Sequence, residues 1–369
     1  MLLGGHTTPE GTKQYATSMI GGKKTCDTHF REFNGLYLSS LGIGTYLGGI
    51  DSSTDKLVTE ALVESMISGI NVLDTAINYR RQRAERSVGR ALKAVTKEYN
   101  REQFFISTKN GYIPGDGDLG LNADAYIKEV VLGKKLAFKD EIINYNSTAL
   151  PYLEHQLEQS LNNLGLETID LLYLHNVAES QKGELGENKF YEMITNCFQF
   201  YEEQIATGRL KYYGLATWDC FRVPEENPSH VSLEKLVDLS KKALDSTGTG
   251  NDEPGFRFVQ LPFNLVMQEA KELKNQAGKT VFEKAAELGI GLFASVPIFQ
   301  GRILGDPFLK ELVSKVSTHG RLTSPAQVAL QLVREEGLPL IAPLIGHKRP
   351  EHVKENLKLV EVPPSDYLN

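Results

Sequence analysis

The sequence predicts a single (β/α)8 barrel, also called a TIM barrel, over residues 40–360. From residue 40 onward, short runs rich in apolar and β-branched residues alternate with longer segments of helical period, which is typical of βαβ units with a parallel sheet. Eight such units follow one another in the chain. Eight short, evenly spaced units fit a closed barrel better than an open sheet, which usually has about five to seven strands.

The eight predicted strands are short, and helices with one apolar face separate them. Apolar residues recur at helical spacing after the first, second and third strands, for example Leu57, Val58, Ala61 and Leu62; Ala84, Val88, Ala91 and Val95; and Leu153, Leu157, Leu161 and Leu164. In chain order, the strands are residues 41–45, 71–75, 104–108, 169–174, 211–217, 257–261, 290–296 and 339–344.

Glycines mark the ends of the helices. Each follows a helical run by the distance expected of a left-handed C-terminal residue, and the next strand begins one to four residues later: Gly69, Gly165, Gly208, Gly289 and Gly337. The units are therefore compact and repeated.

Three segments lie outside the regular pattern. Residues 1–39 form an N-terminal extension that we expect to fold as a hairpin over the barrel floor, and residues 361–369 form a C-terminal tail. Residues 111–146 separate the third strand from its helix by far more than the usual loop of about 2 to 6 residues. An insertion after a strand's C-terminal end lies on the face where barrel enzymes carry their active sites, so it is either a substrate-shaping lid or an insertion without a role.

Composition excludes several classes of protein. Forty Lys and Arg against 47 Asp and Glu give a net charge of −7, so no bulk positive field attracts nucleic acid. The three cysteines, Cys26, Cys197 and Cys220, are far apart and lack CxxC spacing, which indicates neither a disulfide framework nor a zinc site. We find no signal peptide and no run of about 20 apolar residues, and therefore expect a cytoplasmic protein that does not bind membranes.

Four polar residues are predicted to meet at the barrel mouth, because the C-terminal ends of all strands converge there. Asp74 ends the second strand, Lys109 follows the third, His175 follows the fourth, and Tyr79 lies in the loop after Asp74. A lysine ammonium beside a tyrosine would lower the pKa of the phenol and let it donate a proton, while Asp74 keeps the lysine charged. A neutral histidine can orient a carbonyl oxygen, so the set suits carbonyl reduction by an external hydride.

Several segments resemble the aldo/keto reductase family over residues 31–360. They are GINVLDTAINYRRQRAERSVGRAL, FFISTKNGY, SLNNLGLETIDLLYLHN, ATGRLKYYGLATW, FVQLPFN, FASVPIFQGRIL and APLIGHKRPEHVKENL, in the family's order. The resemblance implies an NADP-dependent oxidoreductase, with NAD as the other possible cofactor, acting on a small aldehyde, ketone or alcohol. It also implies that Asp74, Tyr79, Lys109 and His175 are the catalytic tetrad, with Tyr79 as the general acid.

The resemblance also implies a set of cofactor contacts. Gln260 corresponds to a residue that hydrogen-bonds the nicotinamide amide, and Glu355 and Asn356 correspond to a pair that holds the adenine. Ala216 and Thr217 stand where Ser-Asn is usual, and Ser295 stands where many members stack a Tyr. The segment expected to hold the adenosine 2′-phosphate contains Gly346, His347, Lys348, Arg349 and His352, with His352 in place of the usual Arg or Gln.

Other interpretations remain open from the residues alone. The departures at Ala216, Thr217 and Ser295 favour a barrel that binds nucleotide but serves as a regulatory or scaffolding subunit. A lyase or isomerase with Lys109 as a Schiff base is disfavoured, because an adjacent Asp would raise the pKa of that lysine. The glycine run at 42–48 lacks the helix and acidic residue of a dinucleotide-binding loop, and no metal site is expected at His347 and His352. Tyr112 and Phe299 are candidates either for the pocket wall or for the core, and the substrate is not indicated.

Overall fold

The computed structural model describes residues 2–315 and 322–364, which form a closed barrel of eight parallel strands with surrounding helices. Going round the barrel, the strands follow one another in chain order, and the last strand pairs with the first. The predicted fold class is confirmed, and each of the eight predicted strands corresponds to one of these. Their bounds are β3 Gly42–Gly44, β4 Val72–Asp74, β5 Phe105–Asn110, β6 Ile169–His175, β7 Leu210–Ala216, β8 Phe256–Pro262, β9 Gly291–Ser295 and β10 Leu340–Ile345.

Helices cover the outside of the barrel, and their apolar faces pack against it. The helices of the first three units bury the predicted stripes except Leu57, which is half-buried; Val88, Leu153 and Leu157, for example, are inaccessible to solvent. Gly165 (φ +70°) and Gly289 (φ +65°) end two helices in the left-handed conformation that the glycine spacing predicts. From the N-terminus, the helices are α1 Pro9–Gly21, α2 Ser52–Ile67, α3 Arg83–Val95, α4 Ala123–Tyr126, α5 Leu150–Leu164, α6 Gly183–Leu185, α7 Glu187–Ala206, α8 Leu233–Thr247, α9 Glu269–Glu272, α10 Val281–Leu288, α11 Pro307–Lys315, α12 Pro325–Glu335 and α13 Pro350–Leu357.

The N-terminal extension contains a helix as well as a hairpin. Strands β1 Phe30–Phe33 and β2 Leu36–Ser39 pair antiparallel, and α1 precedes them. Leu36 and Leu38 of the hairpin pack in one buried cluster with Val72 and Phe105, which stand at the starts of β4 and β5. The hairpin therefore covers the amino-terminal end of the barrel, opposite the mouth.

Residues 111–146 form an ordered structure of their own after β5. They include α4, a π-helical turn at Ile127–Leu132 and a 3-10 turn at Lys139–Glu141. Their apolar side chains form a separate small core, in which Ile113, Tyr126 and Val131 pack against Tyr152 of α5. The insertion is thus anchored to the barrel rather than being an open loop.

Two further observations concern the chain ends and membrane spans. Of the predicted C-terminal tail, residues 365–369 lie outside the described residues. Over the described ranges, the helices are too short or too polar for any of them to cross a bilayer.

Candidate active site

A buried ion pair joins β4 and β5 at the barrel mouth. Lys109 Nζ donates to Asp74 Oδ2 at 2.6 Å and to the Thr75 carbonyl oxygen at 2.7 Å. The Lys109 side chain has no solvent exposure and that of Asp74 is 5% exposed. Lys109 and His175 lie within their strands, not after them as predicted, because β5 continues to Asn110 and β6 to His175. Inward-pointing strand residues, rather than loop residues, therefore carry these two groups.

Asp74 accepts two hydrogen bonds besides the ion pair. Ser107 Oγ and Gln260 Nε2 both donate to Asp74 Oδ1 at 2.8 Å. Gln260, predicted only as a cofactor contact, therefore also helps to hold this carboxylate in place. The amide nitrogen of Gln260 must face Asp74, because an ionised carboxylate can only accept hydrogen bonds.

Tyr79 lies over this ion pair, half-buried in the wall of the mouth. Lys109 Nζ is 4.8 Å from the centroid of the Tyr79 ring, and the His175 ring is 6.1 Å away in an edge-on arrangement. Tyr46, from the loop after β3, packs edge-on against Tyr79 at 4.9 Å. The four residues predicted to meet at the mouth are thus brought together from β4, its loop, β5 and β6.

The electrostatics of Tyr79 differ from the prediction. Burial, the nearby Asp74 carboxylate and Tyr46 raise the pKa of Tyr79 well above its ordinary value, so the expectation of a lowered pKa is wrong for this structure. The physical reason is that burial disfavours the phenolate and that the positive charge of Lys109 is already matched by Asp74. Tyr79 is consequently a neutral phenol, which is the protonation state that a proton donor requires.

His175 is also neutral. Burial, and then the nearby ammonium of Lys109, lower the pKa of His175 well below its ordinary value. Its Nδ1 atom is buried without a hydrogen-bond partner, and the ring of Tyr112 packs edge-on against it at 5.1 Å. One nitrogen of the His175 ring is therefore unpaired.

One continuous cavity of about 780 Å³ extends from the tetrad across the mouth of the barrel. Such a volume is within the usual range for small-molecule and cofactor sites. Lys109 does not line the cavity, but it contacts two residues that do, Asp74 and Tyr79. The cavity wall includes all the other residues that the sequence singled out for catalysis or cofactor binding: Asp74, Tyr79, His175, Ala216, Thr217, Gln260, Ser295, Gly346, His347, Lys348, Arg349, His352, Glu355 and Asn356.

The end of the cavity far from the tetrad is cationic, but not through His347. The His347 ring is buried, with Nε2 3.1 Å from Ser65 Oγ and Nδ1 3.4 Å from Asn356 Nδ2. Burial, with His352 nearby, lowers the pKa of His347 to about 4, so it carries no charge near neutral pH. The positive charge at this end belongs to Lys348 and Arg349, at the start of α13.

Glu355 and Asn356 lie on α13 at the same end of the cavity. Ser324 Oγ donates to Glu355 Oε1, and Gln327 Nε2 donates to the Glu355 carbonyl oxygen at 2.6 Å. Asn356 Oδ1 is buried without a hydrogen-bond partner. This unpaired acceptor is the kind of group that a bound donor can satisfy.

Ala216, Thr217 and Ser295 contribute mainly backbone and short side chains to the middle of the cavity. Thr217 N donates to the Gln260 carbonyl oxygen at 2.9 Å, and the Ala216 carbonyl oxygen accepts from Asn176 N at 2.7 Å. The small side chains at these three positions leave the space that bulkier groups would fill. The departures from the family pattern therefore leave the cavity open.

Sequence reasoning missed several residues of the cavity wall. Tyr46, Asn78 and Asn176 all line it. Asn176 directly follows His175 and has a left-handed backbone (φ +47°), a conformation in which Asn is enriched, so its position was a usable signal. Tyr112 lines the cavity, whereas Phe299 is not in the wall and packs against the hydrophobic core.

Known proteins resemble this chain in sequence and in structure. The model of the Aldo/keto reductase family matches residues 40–368. The aldo-keto reductase yakc [NADP(+)] of Schizosaccharomyces pombe is 22% identical over 322 residues, which is 85% of this chain and 81% of that protein. The uncharacterized oxidoreductase YqkF of Bacillus subtilis is 28% identical over 185 residues, so the match covers 49% of this chain and only 46% of that relative.

A solved structure shows the same architecture. An aldo/keto reductase from Klebsiella pneumoniae, crystallised with NADP and acetate, superposes with a TM-score of 0.59 at 15% identity and covers 91% of this chain and 90% of its own. At this identity the likeness concerns the fold. The match of the family model spans most of the chain, including every residue of the tetrad. This chain belongs to the aldo/keto reductase family.

Proposed function

We propose that this protein is an NADP(H)-dependent oxidoreductase that interconverts a small aldehyde or ketone and the corresponding alcohol. The observation that carries the proposal is the convergence of Tyr79, His175 and the Asp74–Lys109 pair at one end of a cavity whose other end is cationic. The yakc relative and the Klebsiella pneumoniae structure both carry NADP in their names, which supports the choice of cofactor.

The residues of the cavity fit this cofactor. Lys348 and Arg349 offer positive charge for a phosphate, and Asn356 Oδ1 is an unpaired buried acceptor for an amino group of the adenine. Gln260, Thr217 and Ser295 also line the cavity, and Gln260 contacts Asp74 of the tetrad, so we expect the nicotinamide amide to bind beside these three residues. The bound nicotinamide would supply or accept the hydride.

Tyr79 supplies the proton in this proposal. The ordinary pKa of a tyrosine already lies well above 7 and that of Tyr79 is raised further, so its phenol is neutral near pH 7. Its Oη can donate a proton to the substrate oxygen as negative charge develops there. Lys109, 4.8 Å from the Tyr79 ring centroid, stabilises the phenolate left behind. Asp74, held by Ser107 and Gln260, keeps the ammonium in place.

His175 orients the substrate. A neutral imidazole can donate one hydrogen bond, and the absence of a positive charge on His175 avoids competition with Tyr79 for the role of acid. The Schiff-base interpretation is disfavoured by geometry, since Lys109 Nζ is fully buried and already donates to Asp74 and Thr75.

One experiment tests cofactor binding and chemistry together. Trp218, the only tryptophan, lines the cavity and is 39% exposed, so NADPH should quench its fluorescence in a saturable way and more tightly than NADH. Turnover is then measured with NADPH and 4-nitrobenzaldehyde, an activated aldehyde, in wild type and Tyr79→Phe.

We expect Tyr79→Phe to lose at least about a hundredfold in kcat, because general acid catalysis contributes on that order, with NADPH affinity within about twofold of wild type. Wild-type turnover in Tyr79→Phe would exclude Tyr79 as the donor. Binding of NADPH without turnover on a panel of aldehydes, ketones and alcohols would favour the non-catalytic barrel. No binding of either nucleotide would refute the proposal.

A further inference from the structure

The turn that follows Tyr79 has an unfavourable backbone conformation. Arg80, Arg81 and Gln82 have φ values of +47°, +53° and +71°, so three consecutive residues other than glycine are left-handed. Such residues cost energy individually and persist only where the surrounding structure holds them. The position of Tyr79 therefore depends on whatever holds this turn.

Helix α2 holds the first residue of the turn. Arg80 NH1 donates to Asp55 Oδ1 at 3.0 Å, and the Arg80 side chain is only 1% exposed. Arg80 NH2 also donates to Ser87 Oγ at 2.8 Å and to the Arg83 carbonyl oxygen at 3.1 Å. These contacts fix the arginine side chain, and the Gln82 carbonyl oxygen accepts from Arg86 N of α3 at 3.3 Å. They do not reach the backbone of Arg81, the middle residue of the turn.

The insertion supports the rest of the turn. Gly117 N donates to the Arg81 carbonyl oxygen at 2.9 Å, and Gln82 Nε2 donates to the Gly115 carbonyl oxygen at 3.1 Å. The approach is close: a Cβ atom on Gly115 would lie 3.1 Å from Arg81 Cδ, and one on Gly117 would lie 2.8 Å from Arg83 Nε. Gly117 thus contacts the main chain of the turn, and the two glycines leave room for the side chains of Arg81 and Arg83.

Ion pairs anchor residues 115–118 to α3. Arg83 and Arg86 bind the half-exposed Asp118, and Arg86 also binds the buried Asp116. Arg86 binds Asp116 through two hydrogen bonds, NH2 to Oδ2 at 2.8 Å and NH1 to Oδ1 at 3.1 Å. Asp116 is 6% exposed, and its Oδ1 also accepts from the backbone N–H groups of Asp118 and Leu119 at 2.9 and 3.2 Å. Burial alone would raise the pKa of Asp116, but Arg86 and these two amides outweigh it and lower the pKa below its ordinary value. The Asp116 carboxylate thus both stabilises the backbone of the insertion and binds it to α3.

We propose that residues 115–118 of the insertion, anchored by the Asp116–Arg86 pair, position Tyr79 by holding the left-handed turn that follows it. Asp116 and Arg86 are positioning residues, since neither lines the cavity. The insertion then has a role other than that of a lid. This inference rests on the proposed function of Tyr79 as proton donor.

The test compares Asp116→Asn with Asp140→Asn. Asp140 is an exposed carboxylate on the same insertion, so the control makes the same change of charge away from the turn. The measurements are kcat and KM with NADPH and 4-nitrobenzaldehyde, the dissociation constant of NADPH from Trp218 quenching, and Tm. We expect Asp116→Asn to lower kcat about tenfold with the NADPH dissociation constant within twofold, and Asp140→Asn to change neither.

A double-mutant cycle with Tyr79→Phe separates positioning from general damage. If Asp116 acts through Tyr79, Asp116→Asn has no further effect on the single-turnover rate of the Tyr79→Phe enzyme, measured at high enzyme concentration. A loss that persists in the Tyr79→Phe background, or a kcat for Asp116→Asn equal to that of Asp140→Asn, would overturn the inference. Should Asp116→Asn fail to fold, Arg86→Lys, which keeps the charge but loses the two-pronged contact, is judged by the same two criteria.

The outcome for the inference is distinguishable from the outcome for the proposed function. Wild-type turnover in Tyr79→Phe removes the function of Tyr79 itself. An inactive Tyr79→Phe together with a fully active Asp116→Asn removes only the role of the insertion.

Discussion

The Asp74–Lys109 pair makes a quantitative prediction about stability. At 2.6 Å and an effective dielectric constant of about 20, the attraction between the two charges is about 6 kcal/mol. The desolvation of both buried groups offsets much of this attraction. The pair is therefore expected to contribute little net stability, although either partner alone is costly to bury.

The perturbation is a double-mutant cycle of Asp74→Asn and Lys109→Met. Asp74→Asn removes the negative charge and leaves the ammonium with neutral acceptors such as the Thr75 carbonyl oxygen. Lys109→Met leaves Asp74 Oδ2 without its partner, while Ser107 and Gln260 still reach Oδ1. Each single change should destabilise the fold by about 3 to 5 kcal/mol, whereas the double change should cost about 2 kcal/mol or less. The expected coupling energy is thus at least about 4 kcal/mol.

The assay is urea-induced unfolding followed by circular dichroism at pH 7, in which the free energy of unfolding is extrapolated to zero urea. Asp238→Asn and Lys241→Met form the control cycle, because that ion pair is 3.8 Å apart with both side chains 61% exposed, and its coupling should be below about 1 kcal/mol. If the effects of the two changes at Asp74 and Lys109 add within about 0.5 kcal/mol, the predicted coupling between the two buried charges is refuted. All three variants of that pair should also lose turnover.

Two further predictions concern stability. The folded-state pKa of His347, about 4, lies below its ordinary value of 6.5. The stability that the neutral His347 contributes is therefore fully present above pH 6.5 and is lost as the pH falls towards 4. The total loss in the free energy of unfolding is about 3 kcal/mol. His347→Gln should therefore flatten the dependence of the free energy of unfolding on pH between 6.5 and 4 by up to one proton, and an unchanged slope would contradict this. Gly214→Ala should destabilise the fold by about 3 kcal/mol or more, because the new Cβ would lie 1.9 Å from the Phe258 carbonyl oxygen. The control, Gly21→Ala, has no other atom within 4 Å of its Cβ and should be neutral or slightly stabilising. Equal urea midpoints for the two variants would contradict this close packing at Gly214.

Local patterns in the sequence were sufficient for the architecture of the barrel. Strand and helix positions follow from the periodicity of apolar residues, and glycines such as Gly165 and Gly289 mark helix ends through a conformational need that is local. Helix α1 was missed, because residues 1–39 lie outside the repeating pattern on which the prediction depended.

The meeting of Asp74, Lys109 and His175 was also predictable. In a parallel barrel the carboxyl ends of the strands converge at one mouth, so position along each strand is enough to bring these groups together. The error in placing Lys109 and His175 after their strands, rather than within them, did not affect that conclusion, since both residues still face the mouth.

Only the tertiary structure decided how those groups behave. The hydrogen bond from Gln260 to Asp74 joins residues 186 positions apart, and no local pattern encodes it. Burial determines that the pKa of Tyr79 is raised, and the inward orientation of His347 determines that it carries no charge near neutral pH. A pKa depends on the dielectric environment and on the charges that the closed barrel brings near, both of which exist only after folding.

The insertion shows the same division most clearly. Its length and its place after a strand were evident from the sequence, which left a lid and a segment without a role as the alternatives. Its contact with the turn after Tyr79 depends on Asp116 meeting Arg86 across 30 residues. It also depends on the hydrogen bonds that Gly115 and Gly117 form with Gln82 and Arg81. Periodicity indicates which residues of one element are buried. Contacts between elements depend on the geometry of the closed barrel, because only there can hydrogen bonds from the insertion offset the energetic cost of the left-handed turn.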